Sequence, residues 1–252
     1  MCPFLLAFRS PLIKMLSTAE ETGKPEIAVS EQVKKDLMIW YTAIEDCEKG
    51  LPIPCEPCQP NIWHKTVAVS TLENKDMQRR SGKAGLGCYC SNEDGEPMLS
   101  FCYLWEISEA IDLRIAEESE SLLFMGMLLA LLKGKDQLRN QHIVINTCNI
   151  TCSWAWEKKY EKNSEMASAL IRCLAIMSAY LGSYIHIEYR KQPKCWEEIS
   201  AEKISRNSGA NSSCPDLSVS SMNSEWPVWA VEWLKKPRLD WSLADKLRNH
   251  LL

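Results

Sequence analysis

The sequence predicts an α/β domain, a mixed five-stranded sheet flanked by helices, with an N-terminal helix before it and a C-terminal helical tail after it. Two observations carry that prediction. Three short apolar segments follow one another, TVAVST (66–71), AGLGCYC (84–90) and MLSFCYLW (98–105), separated by polar stretches containing Asn, Gly, Asp and Pro; this is the pattern of an antiparallel meander. Two further strand-like segments, HIVINT (142–147) and SYIHIEYR (183–190), then alternate with helical stretches. That alternation implies a mixed sheet with helices packed on both faces.

Residues 1–28 mix Pro, Ser, Thr and Glu without sustained periodicity and are expected to form a flexible lead. Residues 29–60 hold a helix and a linker. Val33, Leu37, Trp40, Tyr41, Ile44 and Cys47 recur at helical spacing, with Ser30 placed to cap the start and Gly50 to stop the end. LPIPCEPCQP (51–60) contains four prolines and reads as a stiff extended connection.

The domain proper is expected over residues 61–206. From Glu117 to Lys133 an acidic first turn leads into a nearly continuous apolar run, which fits a helix buried against the sheet. The stretch VINTCNITCSWAWEKKY (144–160) reads as a buried strand, a loop and a helix. SEMASALIRCLAIMSAYLG (164–182) carries a capping Ser164, an apolar series Met166, Leu170, Leu174, Met177 and Leu181, and a stop at Gly182. A short helix is expected near CWEEISAEKISR. Residues 207–224 are a Ser/Asn-rich linker, and residues 225–252 form two amphipathic helices split at Pro237, the second capped by Ser242. There is no internal repeat.

Composition narrows the function classes. The 252 residues are 46% hydrophobic and 25% charged, enough apolar material for a full core. With 29 basic and 33 acidic residues the net charge is −4, so no global positive field attracts a phosphate backbone and any nucleic-acid binding is local. The first 16 residues hold apolar runs broken by Arg9, Lys14 and two prolines, which gives neither a membrane span nor a secretory signal. An intracellular protein without membrane contact is expected. Most of the twelve cysteines, Cys102 and Cys173 among them, lie in apolar segments and read as free core thiols.

The order of elements, together with GLPIP (50–54) after the first helix, KAGLG (83–87), LLFMGMLLALL leading to HIVINTCN, SALIRCLAIMSAYLG, and AEKISR closing in EWLKKPRLDW, resembles the ribonuclease H region that follows reverse transcriptase in invertebrate retroelement polyproteins. The similarity runs in order over roughly residues 34–250, and the helix at 30–49 corresponds to the tail of the polymerase connection. The resemblance implies a fold with four catalytic carboxylates that hold two magnesium ions, hard cations that need oxygen ligands. Matched residue by residue, those positions fall at Thr71, Leu123, Cys148 and Glu202, and only Glu202 is acidic. A thiol is a soft, poor ligand for magnesium, and Thr and Leu cannot replace a carboxylate.

The chain is therefore expected to be a catalytically inactive ribonuclease H-like module that needs no cofactor and binds nucleic acid or protein. A residual nuclease would need magnesium and the fallback acids Glu73 and Glu120 beside Glu202. Thr71 and Glu73 share one face of a strand, so a slipped register is geometrically open to that alternative. A fragment with no role is the third reading.

Several residues carry two readings. Cys55 and Cys58, with His64 six residues on, have zinc-knuckle spacing but lack a fourth ligand, and free linker thiols fit better. Cys148 and Cys152 lie four apart, and filling core volume is the ordinary role. Asn149, Trp154, Trp156, Lys158 and Lys159 lie where the resembled family approaches its nucleic acid, so weak contact with an RNA–DNA hybrid or single strand is one expectation and packing of the tryptophans the other. Arg79, Arg80 and Lys83 form a basic loop with the same two readings, phosphate contact or solvated turn. Trp226, Trp229, Trp233 and Trp241 dock on the domain or, if exposed, offer a surface to protein partners.

Overall fold

The computed structural model describes residues 3–23, 26–48, 64–71, 83–91, 97–106, 119–161, 164–191, 197, 199, 201 and 202. A 3-10 helix, Pro3–Phe8, leads into α1 (Ser10–Thr22) and α2 (Glu31–Glu48). Then follow β1 (His64–Thr71), β2 (Lys83–Ser91), β3 (Pro97–Glu106), α3 (Ser119–Lys133), the single turn α4 (Lys135–Leu138), β4 (His142–Thr147), α5 (Ile150–Lys158), α6 (Glu165–Leu181) and β5 (Tyr184–Tyr189).

The sheet has five strands in the order β3-β2-β1-β4-β5. β1 pairs antiparallel with β2, and β2 with β3, while β1–β4 and β4–β5 are parallel. Short turns can join antiparallel neighbours, but parallel ones require a crossover, and α3 and α6 supply those crossovers. The mixed α/β architecture is compatible with a ribonuclease H-like fold.

The core lies between the sheet and the α3–α6 pair. Phe124, Met125, Met127, Leu128 and Ala130 are fully buried, because α3 packs on β1 and β2 with one side and on α6 with the other. A helix enclosed this way has to be apolar nearly all round, which explains its sequence. Leu170, Ile171, Leu174 and Met177 of α6 and Ile143 and Ile145 of β4 complete the same cluster.

Local signals fix the element ends. Ser164 accepts a hydrogen bond from the Ala167 N–H at 3.0 Å, and Gly182 closes α6 at φ 62°, a left-handed conformation that suits glycine. The Ser30 hydroxyl accepts from the Val33 N–H at 3.3 Å. β4 spans the predicted residues 142–147.

The expected flexible lead is corrected by the fold. Pro3–Phe8 and Ser10–Thr22 are helical, and Ala7 and Phe8 are buried. Their anchor is Arg172 of α6. Its Nε donates to the Ala7 carbonyl at 3.2 Å, its guanidinium lies 5.4 Å from the Phe8 ring centroid, and its Nη2 meets Asp36 of α2 at 2.7 Å in a buried ion pair. One buried cation thus ties the 3-10 helix and α2 to the sheet domain.

The expected linker at 51–60, the Cys55/Cys58 pair, the Ser/Asn-rich stretch 207–224 and the tail 225–252 lie outside the described residues. Among the described residues, no helix is long and apolar enough to cross a membrane.

Candidate functional site

The C-terminal ends of β1 and β4 lie side by side where the sheet changes from antiparallel to parallel. Ala68 is level with Asn146, so Cys148, two residues on, leaves the sheet at about the level of Ser70. Thr71 ends β1 opposite Leu86 of β2. Ligands of open α/β sheets gather at such carboxyl ends.

Asn149 turns the chain from β4 into α5. Its side-chain oxygen accepts from the Cys152 N–H at 3.1 Å, while its own N–H donates to Thr147 Oγ1 at 3.1 Å. Its Nδ2 points to Glu120 Oε1 at 3.5 Å. Asn149 is thereby a helix cap whose spare donors face α3, a role that its residue type fills without any bound nucleic acid.

On α3 the residue that reaches this corner is Glu120, which is half-buried. Leu123, the position matched to the family's helix acid, is 5% exposed and belongs to the core. Helical side chains lean toward the N-terminus, so the first-turn residue covers the end of β4 while Leu123 faces the cluster beneath it.

The two nearby cysteines differ. Cys148 is exposed and forms no disulfide, whereas Cys152 is fully buried. Burial first, and then the charges of Glu120, Cys148 and Glu161, push the Cys152 thiol well above its ordinary range. Cys173, buried in α6, is pushed up to about 12 by burial against the opposing pull of Arg172. Such groups are neutral thiols at physiological pH, neither nucleophiles nor metal ligands.

Glu202 is half-buried beside the fully buried Ala201. Glu197 of the same segment accepts from Ser91 Oγ at 3.2 Å, and Ser91 lies opposite Thr66. Glu197 therefore docks toward the start of β1, at the other end of the strand from Thr71. Among the described residues, no group of three or more His, Cys, Asp or Glu side chains is arranged to hold a metal ion. At the described corner an exposed cysteine follows β4, Leu123 is buried in the core, and Glu120 is the acid beside Asn149.

The expected nucleic-acid residues separate into distinct sets. Trp154 is 54% exposed, and Lys158, one turn on, is exposed on the same side of α5. Trp156 contradicts the stacking expectation: it is 6% exposed, and its Nε1 donates to the Ile185 carbonyl at 3.1 Å. Two residues along a helix is about 200°, so Trp154 and Trp156 point in opposite directions and cannot form one platform. Lys159 is likewise withdrawn from phosphate contact. It closes α5 in the left-handed region at φ 58°, with its Nζ 3.1 Å from the Trp156 ring centroid, and burial lowers its pKa from 10.5 to about 7 against the opposing effect of Glu157.

Lys83 opens β2 opposite Glu106. Glu73, Arg79 and Arg80 lie outside the described residues. Sequence reading passed over Asn146, which is buried near the end of β4, two residues before Cys148, with its Oδ1 unpaired. Its polarity inside the apolar run HIVINT was the available signal.

No family model matches the chain, and no curated protein matches it. Among solved structures, the native protease-reverse transcriptase of prototype foamy virus is similar over 60% of this chain and 21% of that chain, at 12% identity and a TM-score of 0.37. The chain thus corresponds to about a fifth of the length of that protein.

Proposed function

We propose that the chain is a ribonuclease H-like domain of retroelement origin that does not cleave RNA and serves as a binding module, with single-stranded RNA or an RNA–DNA hybrid as its ligand. The observation that carries this reading is the pairing of a retained frame with an altered corner. The order β3-β2-β1-β4-β5 brings the end of β4 beside β1, and the residue that follows there is Cys148, where the resemblance implies an acid. Two-metal hydrolysis needs several carboxylates converging on the attacking water and the leaving oxygen. Among the described residues, Glu120 is the carboxylate that meets Asn149 at this corner.

Nucleic-acid contact is supported by exposed Trp154 and Lys158 on one side of α5, a base-stacking ring beside a phosphate-pairing cation. With a net charge of −4 the binding is weak and local. Fluorescence anisotropy with labelled RNA tests it. Affinity is expected to fall with salt and to drop several-fold in Trp154→Ala; salt-independent binding, or none, refutes a nucleic-acid role and leaves a protein adaptor.

One observation favours a second reading, a residual magnesium-dependent nuclease using Glu73, Glu120 and Glu202: Glu120 is half-buried and turned toward Asn149. Incubation of the full chain with an RNA–DNA hybrid and magnesium, beside Glu120→Gln and Glu202→Gln, separates the two. The binding-module reading expects no cleavage by any of the three. Cleavage by the parent that disappears in either variant establishes the nuclease.

A further inference from the structure

α2 carries a row of large apolar side chains that its own domain leaves in the open. Its inner side holds Val33 and Asp36, both buried, with Asp36 paired to Arg172 of α6, and the half-buried Trp40. Beside them Leu37, Met38, Tyr41 and Ile44 are 47–60% exposed. At about 100° and 1.5 Å per residue these four cover about 120° of the helix surface and about two turns of its length. An apolar stripe of that width ordinarily faces another apolar surface.

The charges at the two ends of the stripe are opposite and evenly placed. Lys34 and Glu45 lie on the line of the stripe, about 20° apart around the helix and about three turns apart along it. Both are the same distance from the midpoint between residues 39 and 40, as are Met38 and Tyr41. Lys34 Nζ meets Glu31 Oε1 at 2.6 Å, and Glu45 Oε1 accepts from the Tyr41 hydroxyl at 2.7 Å. An ammonium has three donors and a carboxylate about four acceptor sites, so each can take a second partner. The remaining ionisable residues keep the same polarity. With Asp36 neutralised by Arg172, residues 31–39 carry Lys34 and Lys35 against Glu31, while residues 40–48 carry Glu45, Asp46 and Glu48 and no base.

A two-fold interface requires a surface that is its own complement. This stripe meets that requirement in one orientation. Laid antiparallel on itself about the midpoint, it sets Lys34 level with Glu45 of the other copy and Met38 level with Tyr41, and Leu37 falls between Tyr41 and Ile44. The helix dipoles also oppose. A parallel pair would instead stack Lys34 on Lys34 and Glu45 on Glu45.

We propose that the outer face of α2, Leu37, Met38, Tyr41 and Ile44 between Lys34 and Glu45, is the seam of a two-fold dimer in which α2 packs antiparallel on α2 of a second copy of this chain. The contact is made by N-terminal residues alone, so it is independent of the reading given to the sheet domain.

Sedimentation equilibrium of the full chain tests it. The mass is expected to rise from 28.8 kDa toward twice that value as concentration increases through the micromolar range to about 100 μM. Met38→Glu with Tyr41→Glu, both at exposed positions and checked for fold by circular dichroism, should leave a monomer throughout. Lys34→Glu alone and Glu45→Lys alone should each weaken association about tenfold, because the two-fold axis turns two attractions into two repulsions. Combining both substitutions in one chain should restore the original affinity, as should mixing the two single variants. A monomer at every concentration overturns the proposal. So does a dimer that survives the paired glutamates, or a charge swap that restores nothing.

Discussion

The α3–α6 core and the corner where β4 meets α5 draw on the same elements but obey different rules. On α3, Leu123 and Phe124 are buried, whereas Glu120, one turn earlier, meets Asn149. On β4, Ile143 and Ile145 are fully buried, and Cys148, just past the strand end, is exposed. The core depends on apolar volume at helix and strand periods; the corner depends on which polar atom stands at three or four positions. A chain can satisfy the first requirement in full and leave the second unmet, because fold and chemistry are specified by different residues.

The sharpest way to break that contrast is to compare two acids. Asp36 belongs to the frame, paired with Arg172 at 2.7 Å out of water. Asp36→Ala leaves a buried cation unpaired and is expected to cost about 3–5 kcal/mol in urea unfolding, with much of the loss recovered when Arg172→Met is added. Glu120→Ala at the corner should change stability by less than about 1 kcal/mol. Equal losses would mean that the corner is structural after all.

Apolar volume comes next. Leu128→Ala, at a fully buried α3 position, is expected to cost about 2–5 kcal/mol by the same measurement. Cys148→Ala, at an exposed thiol, should stay within about 0.5 kcal/mol.

The tryptophans of α5 sharpen the comparison within one helix. Trp156→Phe leaves the Ile185 carbonyl without its donor and is expected to cost about 1–3 kcal/mol with little change in RNA affinity. Trp154→Ala should be nearly neutral in stability yet lower that affinity. Reversed results would exchange the roles of the two rings.

A pH dependence is expected from Lys159. Its folded-state pKa of about 7 lies below the ordinary 10.5, so above pH 7 the unfolded chain binds more protons than the folded one. The cost of burying the charged amine is fully present below pH 7 and is relieved as pH rises toward 10.5, so stability increases across that window. Attraction of the ammonium to the Trp156 ring favours the charged form and so narrows that window. Urea midpoints between pH 7 and 10 should rise in the parent, with a smaller rise in Lys159→Met.

The sheet and its crossovers were legible because their signals are local. Period-2 and period-3.6 apolar spacing, the Ser164 cap and the Gly182 stop together placed β4 and α6. α2 was legible from its apolar spacing and the Ser30 cap, but the 3-10 helix Pro3–Phe8 and α1 were not, because the buried end of that segment is held by Arg172, 165 residues from the Ala7 carbonyl that it contacts. No window of local sequence contains that contact. At the corner, sequence identified Cys148 and Asn149 but could not choose between Leu123 and Glu120, since that choice depends on where α3 starts and how its first turn leans over β4. Trp154 and Trp156 were separable in principle, since α5 was expected to be a helix and residues two apart on a helix cannot share a face.

The central claim is that the corner between β1, β4 and α3 does not hold a pair of divalent ions. Manganese, which substitutes for magnesium and is countable by electron paramagnetic resonance, tests this most directly in the full chain with an RNA–DNA hybrid present. The account predicts no stoichiometric manganese at millimolar concentration beyond what the hybrid binds alone, and an unchanged signal in Glu120→Gln. Two ions bound per chain, both lost in Glu120→Gln, would contradict it.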